Sequence, residues 1–474
     1  MGIESQCGLK MLFFPLMAHG HMLPMLDMAK LFALRGVEAT ILTTPANAHL
    51  VQPFVDRAND SGSVPGPMRL LLVPFPPDTG LPAGCENLSS IPPEEMPNHF
   101  SRFIDATEKL RGPFGGVLRE LLPDCVVTDM FFPWTYDAAA ELGVPRLVFH
   151  GLNLFSLCIA DSFDRYRPLE RLSAEASSLV IPGLPHRVEL LTSQIPSFEK
   201  ATGGLARGLQ ESESKSYGVL VNSFYELEPD YARHYREVVG RRAWLLGPLA
   251  LCHGDGHDNA GRRDACLEWL DSRSRGSVVY VCFGSMSDFS AAQLREMALG
   301  LEASGRPFVW VVRKGGKEWA PEGFEERVGG RGLVVRGWAP QIPILNHPSV
   351  GGFVTHCGWN SSLEGVSTGL PLATWPLFAD QVYNEKLIVE VLRIGVSIWR
   401  NEEDRGDDGV VAAAMIRKAV EELMGRGEDA RERRRRAREL GKTARRVVGR
   451  DGSSYNDMSN LVIELVDKKA KQFK

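Results

Sequence analysis

Short, mostly apolar runs recur through the first half of the chain: "KMLFFPL" (10–16), "VEATILTT" (37–44), "RLLLVPF" (69–75), "CVVTDMF" (125–131) and "VPRLVFH" (144–150). Runs of this length without strict alternation suit strands buried on both faces, as in a parallel sheet. Helical patterns separate several of them. In one, Pro24 near the start and Gly36 just past the end are the boundary signals, with Leu23, Leu26, Leu31 and Leu34 among the apolar residues. From about 250 the chain turns polar and glycine-rich, "LCHGDGHDNAGRRDA", the composition of a linker. The alternation then restarts with "SVVYVCFGS" (277–285), "PFVWVVR" (307–313), "GLVVRGW" (332–338), "VGGFVTH" (350–356), "PLATWP" (371–376) and "VSIWR" (396–400). Strands alternating with helices twice over predict an α/β protein of two doubly wound domains facing each other across a cleft. The domains are expected at 1–249 and 265–455, with the linker at 250–264 and a last helix, 456–474, packing back on the first domain.

Ligands of such sheets bind outside the carboxyl ends of the strands, which tests every candidate residue by position. In the common order 3-2-1-4-5, strands one and four are neighbours. His21 then follows strand one of the first domain and Asp129 ends strand four; Ser285 and His356 hold the same places in the second. Each domain is expected to bring two polar groups together at its own rim.

Composition narrows the classes. The chain has 474 residues, 44% hydrophobic and 24% charged, enough for large buried cores. No stretch reaches the ~18 apolar residues of a membrane span, and the amino terminus lacks a secretory pattern. The eight cysteines are scattered without metal-site spacing, so reduced thiols and a cytoplasmic location are expected. A net charge of −5 gives no reason to expect nucleic acid or an anionic membrane. The one basic run, "RERRRRARELGKTARR" (431–446), carries Ala437, Leu440, Ala444 and Val447 at helical spacing and reads as an amphipathic helix with a solvated face.

"FVTHCGWNSSLEG" (353–365) is the most chemically loaded stretch. Gly358 allows a tight turn, Asn360 or Ser361 can cap the following helix, and the amide hydrogens of its first turn form a site for an anion such as a phosphate. The same residues also fit a plain capping box, Ser361 with Glu364 three positions on. Cys357 reads as a small packing residue, since nothing beside it marks an activated thiolate.

The 44 positions from Trp338 to Gln381, "WAPQIPILNHPSVGGFVTHCGWNSSLEGVSTGLPLATWPLFADQ", resemble the signature box of plant small-molecule UDP-glycosyltransferases. The resemblance extends to "FFPLMAHGHMLPMLDMAKLF", "DMFFPW" and "VYVCFGS", and implies the two-domain GT-B fold with a UDP-sugar as donor. Carried over, it implies that Trp338 stacks on the uracil while Ala339 and Gln341 meet the base and ribose. Glu364 would accept the ribose hydroxyls, and His356, Asn360, Ser361 and Ser285 would hold the diphosphate. Trp359, Asp380 and Gln381 would address the sugar, although Asp380 could equally cap the helix of "YNEKLIVEVL". Gln381 in this place suggests glucose.

No Asp-x-Asp pair ends a strand, and "EEDRGDD" (402–408) lies far from the box. The helix terminus and His356 are therefore expected to replace a metal cation at the leaving diphosphate, and no cofactor beyond the UDP-sugar is expected. His21 is expected to deprotonate the acceptor, with Asp129 orienting its ring, giving inversion to a β-glycoside. His19 is the other histidine of "HGH", but the resemblance aligns the base with His21; two ligands would also be too few for a closed metal site. Asp124 begins strand four, at the wrong end of the sheet. The acceptor site is expected from "PNHFSRF" (97–103), "FFPW" (131–134), "HGLNLFSLC" (150–158, including His150) and "IPGLP" (181–185), apolar and aromatic segments that suit a lipophilic flavonoid or terpenoid. A monomer is expected. A UDP-sugar epimerase or hydrolase would share this plan without an acceptor, whereas a dehydrogenase would need G-x-G-x-x-G, which neither half supplies.

Overall fold

A computed structural model describes residues 8–472 apart from 63, 93–94, 174–175, 197–202, 254–264, 285–286, 314–318, 400–403 and 405–408. Most of the expected linker, and nearly all of "EEDRGDD", lie outside the described residues. The chain forms two units, one of Met1–Leu154, Phe198–His253 and Val447–Lys474, the other of Phe155–Ser197 and Gly254–Arg446.

The first unit is built on a seven-stranded parallel sheet in the order β3-β2-β1-β4-β5-β8-β9. Its strands are β1 (Lys10–Phe14), β2 (Glu38–Thr43), β3 (Met68–Leu72), β4 (Cys125–Asp129), β5 (Arg146–His150), β8 (Gly218–Val221) and β9 (Ala243–Leu245). The first five coincide with the apolar runs; β8 and β9, of four and three residues, are too short to stand out by pattern. Phe13, Phe14, Phe32, Phe114 and Phe132 fill the core, joined by Met458, Leu461, Val462 and Leu465 of the final helix, Ser453–Gln472. Polar contacts tie that helix down. The Leu245 N–H donates to Asp457 Oδ2 at 2.9 Å, Arg242 pairs with Glu464, and Lys469 Nζ lies 2.9 Å from Asp124 Oδ2. Asp124 also accepts from the Lys10 N–H, so it staples the strand ends opposite Asp129.

The second unit carries a six-stranded parallel sheet, β12-β11-β10-β13-β14-β15: β10 (Val278–Cys282), β11 (Phe308–Val312), β12 (Gly332–Arg336), β13 (Val350–Thr355), β14 (Leu372–Thr374) and β15 (Gly395–Ser397). Phe308, Trp310, Val354, Trp375, Ile416 and Leu423 pack its core. Both sheets place their first strand beside their fourth, the arrangement that opens a ligand site at the strands' carboxyl ends. The two units thus have the Rossmann-like plan of the GT-B class.

Residues 155–197 differ from expectation, which put them in the first domain. They carry an antiparallel hairpin, β6 (Ser178–Ile181) and β7 (Val188–Leu191), and Leu191 packs on the second unit's core. Ser156 Oγ likewise lies 3.4 Å from Asn384 Oδ1 in that unit. The basic run forms the helix Glu428–Val447, burying Ala437, Ala444 and Val447 while Arg435 and Arg436 pair with Glu432. Among the described residues no helix is long and apolar enough to cross a membrane.

Candidate active site

His21 lies in the first turn of the helix His19–Ala33, which starts five residues before the expected Pro24 signal and carries that proline inside it. The turn leading in from β1 is buttressed from a distant segment: Ser89 Oγ accepts from the His19 N–H, and Leu88 N–H donates to the Met17 carbonyl. His21 Nδ1 sits 2.8 Å from Asp129 Oδ2; the imidazole is 23% exposed and the carboxylate fully buried. The other oxygen, Asp129 Oδ1, accepts from the Phe131 N–H at 3.1 Å. A buried carboxylate with both oxygens engaged fixes the ring through Nδ1 and leaves Nε2 as the nitrogen for proton transfer. The ring also packs on Gly151, where a Cβ would stand 3.2 Å from His21 Cε1, and lies 5.8 Å edge-on to Phe131.

Beneath Asp129 lies Arg146, which the sequence pattern did not single out. Its buried guanidinium donates to the carbonyls of Asp129 and Phe132 and to the hydroxyls of Thr128, Ser212 and Ser216. Burial brings its pKa down to about 10, so it remains charged at neutral pH.

The expected acceptor segments are only partly gathered here. Phe100 meets Phe131 edge-on at 5.7 Å, so that with Gly151 three of the four segments gather about His21. His150 does not line an open surface. It is buried, with Nε2 2.6 Å from Glu213 Oε2, and Glu213 also accepts from Tyr235 and Arg241. Burial works against that carboxyl's ionisation, but His150, Arg241 and Tyr235 outweigh it and hold it at about 2. Segment 181–185 forms the turn between β6 and β7, within the second unit.

In the second unit β13 ends at Thr355, and His356 follows it. Glycines shape its slot: a Cβ on Gly284 would lie 2.7 Å from His356 Cε1, and one on Gly358 2.4 Å from Nε2. The buried Nδ1 has no hydrogen-bond partner among the described residues. Burial pushes the imidazole down to about 4, so the ring is neutral at physiological pH. Where a metal cation was expected to be replaced, His356 thus offers a hydrogen bond and no charge. Ser285 lies outside the described residues.

The helix Trp359–Thr368 begins two residues earlier than a cap at Asn360 requires, and three earlier than one at Ser361. Gly358 is the N-cap, without a side-chain bond, so the capping box is not formed. Ser361 and Glu364 turn to another partner instead: Gln341 Nε2 donates to Ser361 Oγ at 3.1 Å and Glu364 Oε2 at 2.7 Å. The amide hydrogens of the first turn are then not claimed by a capping side chain, which suits an anion. Trp359, in the first turn, is buried to the same degree as Gln381. Cys357 is buried too, and burial raises its thiol far above the ordinary range, that of an inert sulfhydryl.

Trp338, which as a strand-end tryptophan would ordinarily be core, is 69% exposed, while its neighbour Ala339 is buried. Asp380 occupies the N-cap position of the helix Gln381–Lys386 but makes no capping bond; its Oδ2 accepts from Asn384 Nδ2 at 2.7 Å. Gln381 is buried, its Oε1 accepting from the Leu377 and Phe378 N–H groups, which leaves the Nε2 amide as its donor. Among the described residues no group of three or more His, Cys, Asp or Glu side chains comes together as a metal site would need.

Comparison with known proteins bears on both clusters. The UDP-glucoronosyl and UDP-glucosyl transferase family matches residues 260–406. A scopoletin glucosyltransferase of Nicotiana tabacum is 46% identical over 96% of this chain and 97% of its own. A UDP-glucose flavonoid 3-O-glucosyltransferase of Fragaria ananassa is 45% identical, covering 98% of each. The crystal structure of Glycyrrhiza uralensis UGT73P12 complexed with glycyrrhetinic acid 3-O-monoglucuronide superposes with a TM-score of 0.89 at 40% identity, over 98% of this chain and 97% of that one.

Proposed function

The chain belongs to the plant UDP-glycosyltransferases of secondary metabolism, enzymes that transfer a sugar from a UDP-sugar, and we propose that it moves glucose, with inversion, onto a hydroxyl of a lipophilic aromatic or terpenoid acceptor. One observation carries the reading: a partly exposed histidine held through Nδ1 by a buried aspartate at the carboxyl rim of the first sheet. In this reading His21 Nε2 takes the acceptor's proton as its oxygen attacks the anomeric carbon. Asp129 stabilises the imidazolium, and the bond to the diphosphate breaks on the opposite face of the sugar, turning an α-linked donor into a β-glucoside. A positioned base of this kind contributes roughly 10²- to 10⁴-fold.

The departing UDP gains negative charge. The amide hydrogens of the Trp359–Thr368 helix, Asn360, Ser361, Ser285 and the neutral His356 would hold it through hydrogen bonds. The helix dipole adds only about 1 kcal/mol, so the direct bonds carry more of the stabilisation. Trp338 would stack on the uracil, worth roughly 1–3 kcal/mol. Glu364, oriented by Gln341, would accept the ribose hydroxyls, with Ala339 beside the base. Asp380, Gln381 and Trp359 would read the sugar. Glucose is favoured by Gln381 and by the glucosyltransferase relatives; the relatives' scopoletin and flavonoid substrates, and the Phe100 and Phe131 rings beside His21, favour an aromatic acceptor.

The test incubates UDP-glucose, UDP-galactose and UDP-glucuronic acid with a panel of phenolic and terpenoid aglycones in EDTA, reading products by mass spectrometry and the anomeric configuration by NMR. A β-glucoside from UDP-glucose is expected, with transfer all but abolished in His21→Ala while UDP still binds. Undiminished transfer in that variant, an α-linked product, or a magnesium-reversible loss in EDTA would each break the mechanism.

A further inference from the structure

Two non-glycine residues in the donor-binding stretch adopt left-handed backbone: Cys357, φ +65°, and Ala379, φ +54°. A Cβ makes this region unfavourable, and such residues persist only where their surroundings hold them. One buried side chain bonds beside both. Asn384, fully buried in the helix Gln381–Lys386, donates from Nδ2 to the Cys357 carbonyl at 2.9 Å and to Asp380 Oδ2 at 2.7 Å. Its Oδ1 lies 3.4 Å from Ser156 Oγ. An amide nitrogen has two hydrogens. Here one anchors the turn that feeds the Trp359–Thr368 helix, and the other fixes the carboxylate that follows Ala379.

We propose that Asn384 is a positioning residue of the donor site, coupling the turn that receives the diphosphate to the carboxylate that receives the sugar. This rests on the reading of Asp380 as a sugar ligand. The sugar and its leaving group are joined by the bond that breaks, so their two receptors must keep a fixed spacing for the anomeric carbon to be presented in one orientation. Gln381 steadies the other side of the same turn through the Leu377 and Phe378 N–H groups, but it does not bond to the Cys357 carbonyl. Asn384 bonds to both Asp380 and the Cys357 carbonyl. Removing its amide takes away the bond that links the Asp380 carboxylate to the Cys357 turn and loosens the spacing between them. UDP needs only the turn, whereas UDP-glucose needs the turn and the carboxylate, so the sugar-bearing ligand should suffer more.

Calorimetric Kd values for UDP and UDP-glucose test this in the wild type, Asp380→Ala, Asn384→Ala and the double variant, with Tm measured on each. Asn384→Ala is expected to weaken UDP-glucose about tenfold more than UDP, the scale of a buried hydrogen bond to a charged group. That extra loss should vanish when Asp380 is already alanine, because Asn384 acts on the sugar through Asp380. Equal weakening of both ligands, or an extra loss that persists without Asp380, overturns the proposal while leaving the sugar-ligand reading intact. An Asp380→Ala variant with the wild-type ratio of affinities overturns that reading, and the coupling with it. Should Asn384→Ala fail to fold, Asn384→Ser replaces it: its single hydroxyl proton can serve only one acceptor at a time, and the same sugar-selective loss is expected.

Discussion

His356 occupies a space that side chains cannot line. Gly358 has φ −57°, a backbone that any residue adopts, so alanine there tests sterics alone: its Cβ would fall 2.4 Å from the imidazole Nε2. Gly284, at φ +73°, would add backbone strain and confuse the result. In Gly358→Ala the ring must turn aside, and the hydrogen bond proposed from it to the diphosphate would be lost. UDP affinity should fall about tenfold or more by calorimetry. Unchanged affinity would mean that His356 does not touch the nucleotide. The residue types of this site were legible in the sequence because the chemistry needs them close together along the chain. Its electrostatics were not: the ring is neutral because Gly284, far away in sequence, lets the fold close over it. Trp338 shows the converse, since an apolar run predicts burial for a tryptophan that the structure exposes.

At the scale of elements, the helix Gln381–Lys386 is pinned to the sheet by Glu385. Its Oε1 accepts from Thr374 Oγ1 of β14 at 2.7 Å and Ser397 Oγ of β15 at 2.8 Å. Burial raises this carboxyl from the ordinary 4.5 to about 7. The folded state therefore holds the proton more tightly than the unfolded chain, and that stabilisation is complete below the unfolded value and lost as pH rises through the folded one. Glutamine can accept the same two hydroxyl protons without ever ionising. Between about pH 5.5 and 8.5, Glu385→Gln should gain about 2 kcal/mol on the wild type in denaturant unfolding. A pH-independent difference would show that Glu385 does not titrate there. Such pinning is invisible to periodicity, which finds elements by what they bury. Apolar runs gave the first five strands of the first sheet and all six of the second; β8, β9 and the β6–β7 hairpin lie in runs too short or too polar to register. The Ser361–Glu364 pair satisfies the capping pattern in sequence but serves Gln341 in space, because the helix begins at Trp359.

For the whole molecule, the alternation of strands and helices implied two Rossmann-like bodies, but not which residues leave one to join the other, since that depends on tertiary partners such as Leu191 and Ser156. The chain builds most of the first unit, then the second, and ends in a helix that fills the first unit's core. That core is complete only when the last residues are in place. Leu461 is fully buried in it, and truncating such a leucine costs about 3 kcal/mol, with a spread set by how far the site collapses. UDP held by Trp338 and the Trp359–Thr368 helix would bind the second unit and stabilise it by mass action. The two perturbations should therefore separate in a calorimetric scan: Leu461→Ala lowers the transition of the first unit, and UDP raises that of the second. A two-unit chain need not unfold in one step. If a single transition responds to both, the units unfold together. If UDP raises the transition that Leu461→Ala lowers while a second stays fixed, the nucleotide binds the first unit and the assignment of the donor site to Trp338–Gln381 is wrong.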